Sequence, residues 1–350
     1  MYKQTRKRKM EAYKIAITSI IGYVIPAYLI VSSAYVIDQF SLPTWLSYVL
    51  VSIPFLGRLI GALIYQRIIR IVKSDMIFSL SLTILGIVSL LLSVTNVNYI
   101  LIMWLRFTLG IIFGIVASLS IDQAVRSGNR IVIGLALSGW AIGWIFAQAS
   151  YSLLDNWRSI YAVGVISLPL ALLGKYTLKF KAEDHNIPDN HISLYTIMIF
   201  LLTLEPSFIL TLAPQILERQ GELELLLLAY VLSLPMYIVN SVINYKVAFT
   251  LSGISAGIFG FLFFVTGSPI LIIPLVMFGI TITSVVPKVF NSKNTGASIN
   301  IASIEGAVVP VVGTVSDYVA GGMTLFSMIT LVAMYFGEKK ILGNKSRATA

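Results

Sequence analysis

The chain has 350 residues, of which 57% are hydrophobic and 11% charged, with a net charge of +10 and a mean hydropathy of +0.89. Soluble domains carry roughly 25% charged residues, and even a ~300-residue soluble fold leaves about a quarter of its unfolded surface in water. Composition therefore weighs against a soluble enzyme, a nucleic-acid-binding domain or a disordered regulator; the chain has to be dissolved in lipid.

Taken in chain order, a basic start (MYKQTRKRKMEAYK) leads into an apolar run too long for a signal peptide and without a small-residue cleavage site, which predicts an uncleaved first span. Apolar stretches of about 20 residues then recur to the end. They predict twelve spans: 15–37, 44–66, 76–94, 98–121, 131–153, 158–177, 192–215, 223–244, 248–266, 270–287, 296–316 and 320–337. Twelve spans need about 240 residues at ~20 each, which leaves loops and tails but no extramembrane domain.

Charge supports this count. With the N-terminus inside, 21 of the 25 Lys and Arg residues fall in inner segments, from Lys3 and Arg6 to Lys345 and Arg347. That asymmetry is the positive-inside rule, so the basicity is topogenic and no nucleic acid is implied. It predicts a multi-pass protein of the cell membrane with both termini cytoplasmic. The longest inner connection, residues 178–191, separates six spans in residues 1–177 from six in residues 192–350. An internal echo, YVLVSIP at 48–54 in span 2 and YVLSLP at 230–235 in span 8, suits a parallel repeat of six.

Four segments carry a family resemblance. GRLIGALIYQRIIRIVKSD (57–75) resembles the connection between helices 2 and 3 of the major facilitator superfamily, and LRFTLGIIFG (105–114) resembles its fourth helix. The acidic-then-basic turn, fifth helix and Trp-Arg start of the sixth are matched within residues 121–163. GASINIASIEGAVVPVVGTVSDY (296–318) is similar to an eleventh helix. Arg58 followed by Gly61 and Ala62 is most like the metabolite:proton symporter and sugar porter branches. The resemblance implies an all-α membrane protein, with twelve transmembrane helices in two six-helix bundles, that works by alternating access. It also implies a charge latch at the inner face, formed here by Arg58, Arg67, Arg70, Asp122 and Arg126. The acidic residue usual in that connection falls on Gln66 or Arg70, so a weaker latch and a bias to inward-open states are expected.

Ionisable side chains within a span cost roughly 2.5–3.5 kcal/mol at the helix centre, so each needs a reason. Glu205, next to Pro206, and Glu305 lie ~20 and ~14 Å along spans 7 and 11 and are the candidate proton carriers. The competing role for Glu205 is a protonated side chain hydrogen-bonded to a neighbouring helix or a static ion pair, and for Glu305 the lining of a tight helix contact. Arg106 heads a stripe with Gly110, Gly114 and Ser118, a small-residue face that packs on protein. It can pin an anionic solute, or equally bond backbone carbonyls. Arg58 can instead snorkel or support the basic turn. In span 5, Gly139, Gly143 and Ala147 form a second small stripe beside Trp140, Trp144 and Gln148. Trp144 and Gln148, with Tyr23 and Tyr28 around Pro26 and Asn240 of span 8, are candidate solute contacts; filling space is the competing role, more so for Trp140.

There is no cysteine, and the two histidines, His185 and His191, sit in the linker, so no thiolate chemistry, metal centre or cofactor is expected. No phosphate-binding loop or HExxH motif occurs. The expected protein is a monomeric, proton-coupled symporter of a small organic solute, not an enzyme. A uniporter with structural glutamates and a non-transporting membrane sensor remain open.

Overall fold

A computed structural model describes residues 2–36, 44–96, 98–154, 156–178, 201, 212–214, 216–289, 295–302, 304 and 317–348. Every regular element among these residues is a helix, with no strand, as lipid requires of any span that is not part of a closed barrel. Eight helices are long and apolar enough to cross a membrane: Ala12–Ser32, Val49–Ile71, Ser74–Val94, Tyr99–Arg126, Arg130–Leu154, Trp157–Tyr176, Leu223–Val242 and Lys246–Thr266. They fall on predicted spans 1–6, 8 and 9. Shorter apolar helices, Pro269–Val285 and Tyr318–Ala333, fall on spans 10 and 12, and Thr295–Ala302 opens span 11. Glu205 and Glu305 lie outside the described residues.

Several helices run further than predicted, the first starting at Tyr2 and the last reaching Ala348. The helix of span 2 continues to Ile71 and that of span 4 to Arg126, so Arg67, Arg70 and Asp122 stand on final turns instead of in loops. A basic residue in the last turn complements the partial negative charge of the helix C-terminus, and both helices end that way. Starts are set by asparagine. Asn98, Asn129, Asn156 and Asn244 each accept a backbone N–H as N-cap. Asn244, close to the end of span 8, is thereby committed as the cap of span 9.

Glycine decides how closely the helices approach. A Cβ at Gly110 would run into the Pro54 carbonyl, and one at Gly114 into the Arg58 carbonyl; Gly57 and Gly61 of span 2 face the Phe107 and Ile111 carbonyls in return. Spans 2 and 4 are thus locked backbone to backbone, glycine against carbonyl on both sides. The span 5 stripe works likewise: Gly139 rests on Tyr23 and Gly143 on Ala27 and Tyr28 of span 1.

The outer helices look to lipid. Val247, Leu251, Ile254 and Ile258 make an exposed apolar stripe along span 9, as do Leu80, Ile84, Ile87 and Leu91 on span 3. Span 6 is irregular, with 3-10 segments Gly164–Ile166 and Ala171–Tyr176 flanking Ser167–Leu170. Pro169 removes a backbone donor there, and the Ser79 hydroxyl of span 3 donates to the Ala171 carbonyl at 2.8 Å.

Gly114→Ala should therefore destabilise the protein by about 1–3 kcal/mol, the usual cost of overpacking. Gly322, with open space around its Cβ position, is the control. Thermal unfolding in detergent should show a lowered midpoint for Gly114→Ala and none for Gly322→Ala; equal midpoints would mean that spans 2 and 4 can move apart freely.

Candidate functional site at mid-span

Helix direction places the ends of spans 2, 4 and 8 and the starts of spans 5, 9 and 11 on the side of the N-terminus. Asp122, buried on the last turn of span 4, joins three helices there. Its Oδ2 accepts from the Tyr65 hydroxyl of span 2 at 2.8 Å, and its Oδ1 accepts from the Gly296 backbone N–H of span 11 at 2.9 Å. Gly296 is obligatory, because a Cβ would strike the Ser118 backbone. The N–H groups of a first helical turn lack intrahelical partners and sit at the positive end of the helix, so a carboxylate suits them. Arg126 adds its charge within electrostatic reach of Asp122. The acid usual between spans 2 and 3 is absent, and Asp122 of span 4 supplies the carboxylate that ties spans 2, 4 and 11 together on this side. Gln66 and Arg70 are half-buried and Arg67 is exposed.

About two turns deeper along span 2 lies a second cluster. The middles of spans 1, 2, 4 and 5 fall at residues 22, 60, 112–113 and 142, and Tyr23, Arg58, Phe113 and Trp140 lie within two residues of them. Arg58 is 5% exposed. Its Nε donates to the Asn300 Oδ1 of span 11 at 2.5 Å and its Nη2 to the Tyr23 hydroxyl at 3.1 Å. The guanidinium lies 4.3 Å from the Phe113 ring centre and 5.4 Å from that of Trp140. Phe113 and Trp140 stack at 5.7 Å, and Tyr23 meets both edge-on. Asn300 is fixed in turn, its Nδ2 donating to the Ser118 hydroxyl at 3.0 Å and to the Gly296 carbonyl at 2.7 Å.

The remaining candidates are held by protein groups. Arg106 is fully buried, with Nε on the Leu50 carbonyl at 2.8 Å, Nη1 on the Tyr161 hydroxyl at 2.5 Å and Nη2 on the Ile30 carbonyl at 3.2 Å. Tyr28 donates to the Ile160 carbonyl at 2.7 Å. Trp144 stacks on Tyr230 of span 8 at 5.2 Å, and Gln148 donates to the Leu223 carbonyl at 3.3 Å. Asn240 donates to Ser252 and Thr281, tying spans 8, 9 and 10. Tyr23 and Arg58 meet at mid-span, whereas Arg106, Tyr28, Trp144, Gln148 and Asn240 are engaged by the separate partners just named.

Sequence reading did not single out Asn300, Tyr65, Phe113 or Tyr237. Asn300 carried the available signal, an amide within a predicted span, where an unpaired polar group is costly. What the cluster offers chemically is a buried cation, aromatic faces and hydroxyls, which is a set for binding. Among the described residues no group of metal-ligating side chains occurs.

No family model matches the chain, and no curated protein matches it. Comparison with solved structures does give a match, and the class it defines is the major facilitator fold. One of the solved structures that the chain matches is that of the proton:xylose symporter XylE bound to 6-bromo-6-deoxy-D-glucose, with a TM-score of 0.69 and 13% identity over 92% of this chain and 95% of that one. At that identity the likeness is one of fold.

Asp122→Ala leaves the Tyr65 hydroxyl and the Gly296 N–H without their acceptor, at roughly 1–3 kcal/mol for each buried group. Spin labels on Ile131→Cys and Val242→Cys, which flank this face on spans 5 and 8, should report a shift to longer distances in Asp122→Ala. Tyr65→Phe, which keeps the Gly296 bond, should give a smaller shift. Identical distance distributions in all three proteins would mean that the contact does not hold this side closed.

Proposed function

We propose that the chain is a secondary transporter of twelve spans that moves a small organic solute by alternating access, coupled to protons as a symporter. Residues 1–177 and 192–350 form its two six-helix bundles, joined through the linker at 178–191. It works as a monomer in the cell membrane with both termini cytoplasmic, the orientation that the distribution of Lys and Arg supports. The observation that carries the reading is the mid-span junction, where Arg58 of the first half of the chain is hydrogen-bonded to Asn300 of the second. A binding site at the bilayer midplane, between halves that rock about it, is how alternating access is built. The fold shared with a proton:xylose symporter supports the same mechanism.

In this reading the Asp122 contact closes the cytoplasmic side, with Arg126, Arg67 and Arg70 around it. Trp144 and Gln148, packed on span 8, close the other end of the span 5 seam. Glu205 and Glu305 are the proton carriers.

Alternation is testable without knowing the solute, because the chain has no native cysteine. The pair Ile131→Cys and Val242→Cys reports one face, and the pair Ser152→Cys with Glu222→Cys the other. Electron-electron distance measurements in liposomes between pH 5 and 8 should show two populations at each face, one lengthening as the other shortens. A single invariant distance at both faces would refute transport and favour a static sensor.

Coupling is tested at Glu205. Glu205→Gln removes the titration while keeping size and hydrogen bonding. It should abolish uphill accumulation driven by a pH gradient, and leave downhill exchange of the same solute within about twofold, because a proton carrier is needed only for coupling. Accumulation that survives in both Glu205→Gln and Glu305→Gln would place the coupling elsewhere, and a wild-type protein that equilibrates the solute but never accumulates it in a pH gradient would be a uniporter.

A further inference from the structure

The two buried arginines differ in how their charge is met. Arg106 donates from all three nitrogens, twice to backbone carbonyls and once to a phenol. This is a finished structural site. Arg58 donates only from Nε and Nη2, to a neutral amide and a neutral phenol; its Nη1 has no acceptor among the described residues. No carboxylate there pairs with it, and Asp122 is engaged by Tyr65 and Gly296. Arginine does not lose its proton in a protein, and a buried charge without an ionic partner is strongly unfavourable. Two ring faces offset part of that cost.

The groups around it add donors, not acceptors. Trp140, 5% exposed and beside the guanidinium, leaves its indole N–H without a partner. Tyr237 of span 8, fully buried, leaves its hydroxyl without one, within electrostatic reach of Tyr23. Tyr23 uses its oxygen to accept from Arg58, so its own proton is free to be donated. Buried polar groups are almost always satisfied, and an exception calls for an absent occupant or a functional reason.

Resting on the transporter reading above, we propose that Arg58, Tyr23, Tyr237 and Trp140 form an anion-binding site at mid-span and that the solute is a small organic carboxylate, held by its oxygens on the guanidinium and the hydroxyls. The planar fork of arginine matches a carboxylate with two parallel bonds, and the stacked pair Phe113 and Trp140 offers an apolar wall to the rest of the molecule. Spans 1, 2 and 5 from one half and span 8 from the other all contribute, so the anion would bridge the parts that must move. Arg58, placed by sequence in the gate, becomes the residue that selects for charge.

The test compares carboxylates with their uncharged amides on the full-length protein in nanodiscs. The probes are lactate against lactamide and benzoate against benzamide, with D-xylose as a neutral solute and nitrate as an inorganic anion. Binding is read by thermal shift and tryptophan fluorescence. Wild type should bind at least one carboxylate and favour it over its amide about tenfold or more, as expected for hydrogen bonds to a charged group; Arg58→Gln should abolish that preference. Tyr237→Phe removes only an unpartnered hydroxyl, so the free protein should unfold at the same temperature or higher while binding the carboxylate about tenfold more weakly. This separates a ligand-facing hydroxyl from a packing one, and it keeps the test alive if Arg58→Gln does not fold.

Amide binding as strong as carboxylate binding, D-xylose binding that ignores Arg58→Gln, or no anion bound at all would overturn the proposal. Nitrate binding as tight as that of every carboxylate would mean a structural counter-ion in place of a transported solute, and would overturn it too. The two readings fail separately. Distances that alternate in a protein indifferent to anions would leave the transporter standing and remove the carboxylate. A carboxylate bound by a protein whose distances never alternate would do the reverse.

Discussion

Everything at the centre of this molecule depends on the approach of spans 2 and 4. Glycine meets carbonyl four times along that contact, at Gly57, Gly61, Gly110 and Gly114. Only with no Cβ between them can two helices come this close. The closeness brings the Arg58 carbonyl against Gly114, so the residue that presents the buried cation is anchored by its own backbone. It also sets Tyr65 of span 2 within hydrogen-bond distance of Asp122 on span 4. The mid-span cluster and the contact at the N-terminal side are two consequences of one packing solution.

The two levels along this pair use charge differently. Asp122 is a buried carboxylate whose partners are a phenol and the orphan N–H of a helix start, and this kind of site suits an anion without any cation in direct contact. Arg58 is a buried cation cushioned by ring faces, an amide and a phenol. Ser118 and Asn300 connect the levels: Asn300 bonds Arg58, Ser118 and the Gly296 carbonyl, while the Gly296 N–H bonds Asp122. A shift of span 11 would alter both levels together, since the same short helix, Thr295–Ala302, carries Gly296 and Asn300.

Much of the architecture was legible because lipid leaves a chain few options. Hydropathy placed the helices of spans 1–6, 8 and 9, and their ends moved by a few residues where arginines extend them past the apolar run. The small-residue stripes were legible too, since Gly110 and Gly114, or Gly139 and Gly143, have no use on a lipid-facing surface. The chemistry was harder to read. Arg106 and Arg58 look alike in sequence, each an arginine within a span, and only the surroundings separate a saturated site from an unsaturated one. Those surroundings come from far along the chain. Asp122 reaches Gly296 and Arg58 reaches Asn300 across 174 and 242 positions, distances over which no periodicity carries information. At the N-terminal side Asp122 itself was legible as a latch residue, but its partner was not: the Gly296 N–H that it binds belongs to the start of span 11, and nothing near Asp122 in the sequence points there.

The contacts along spans 5 and 8 are of two kinds. Gly134 is keyed against the Tyr237 carbonyl, whereas Trp144 and Tyr230 lie 5.2 Å apart with their planes 11° from parallel, one flat face on another. Stacked rings keep most of their attraction when offset sideways, whereas a glycine seated on a carbonyl has no room to slide. Spans 2 and 4 are therefore built as a girder, keyed along their length, and in the proposed cycle the Trp144–Tyr230 pair would serve as a bearing, a greased face on which span 5 turns against span 8 once the Gly134 key is released.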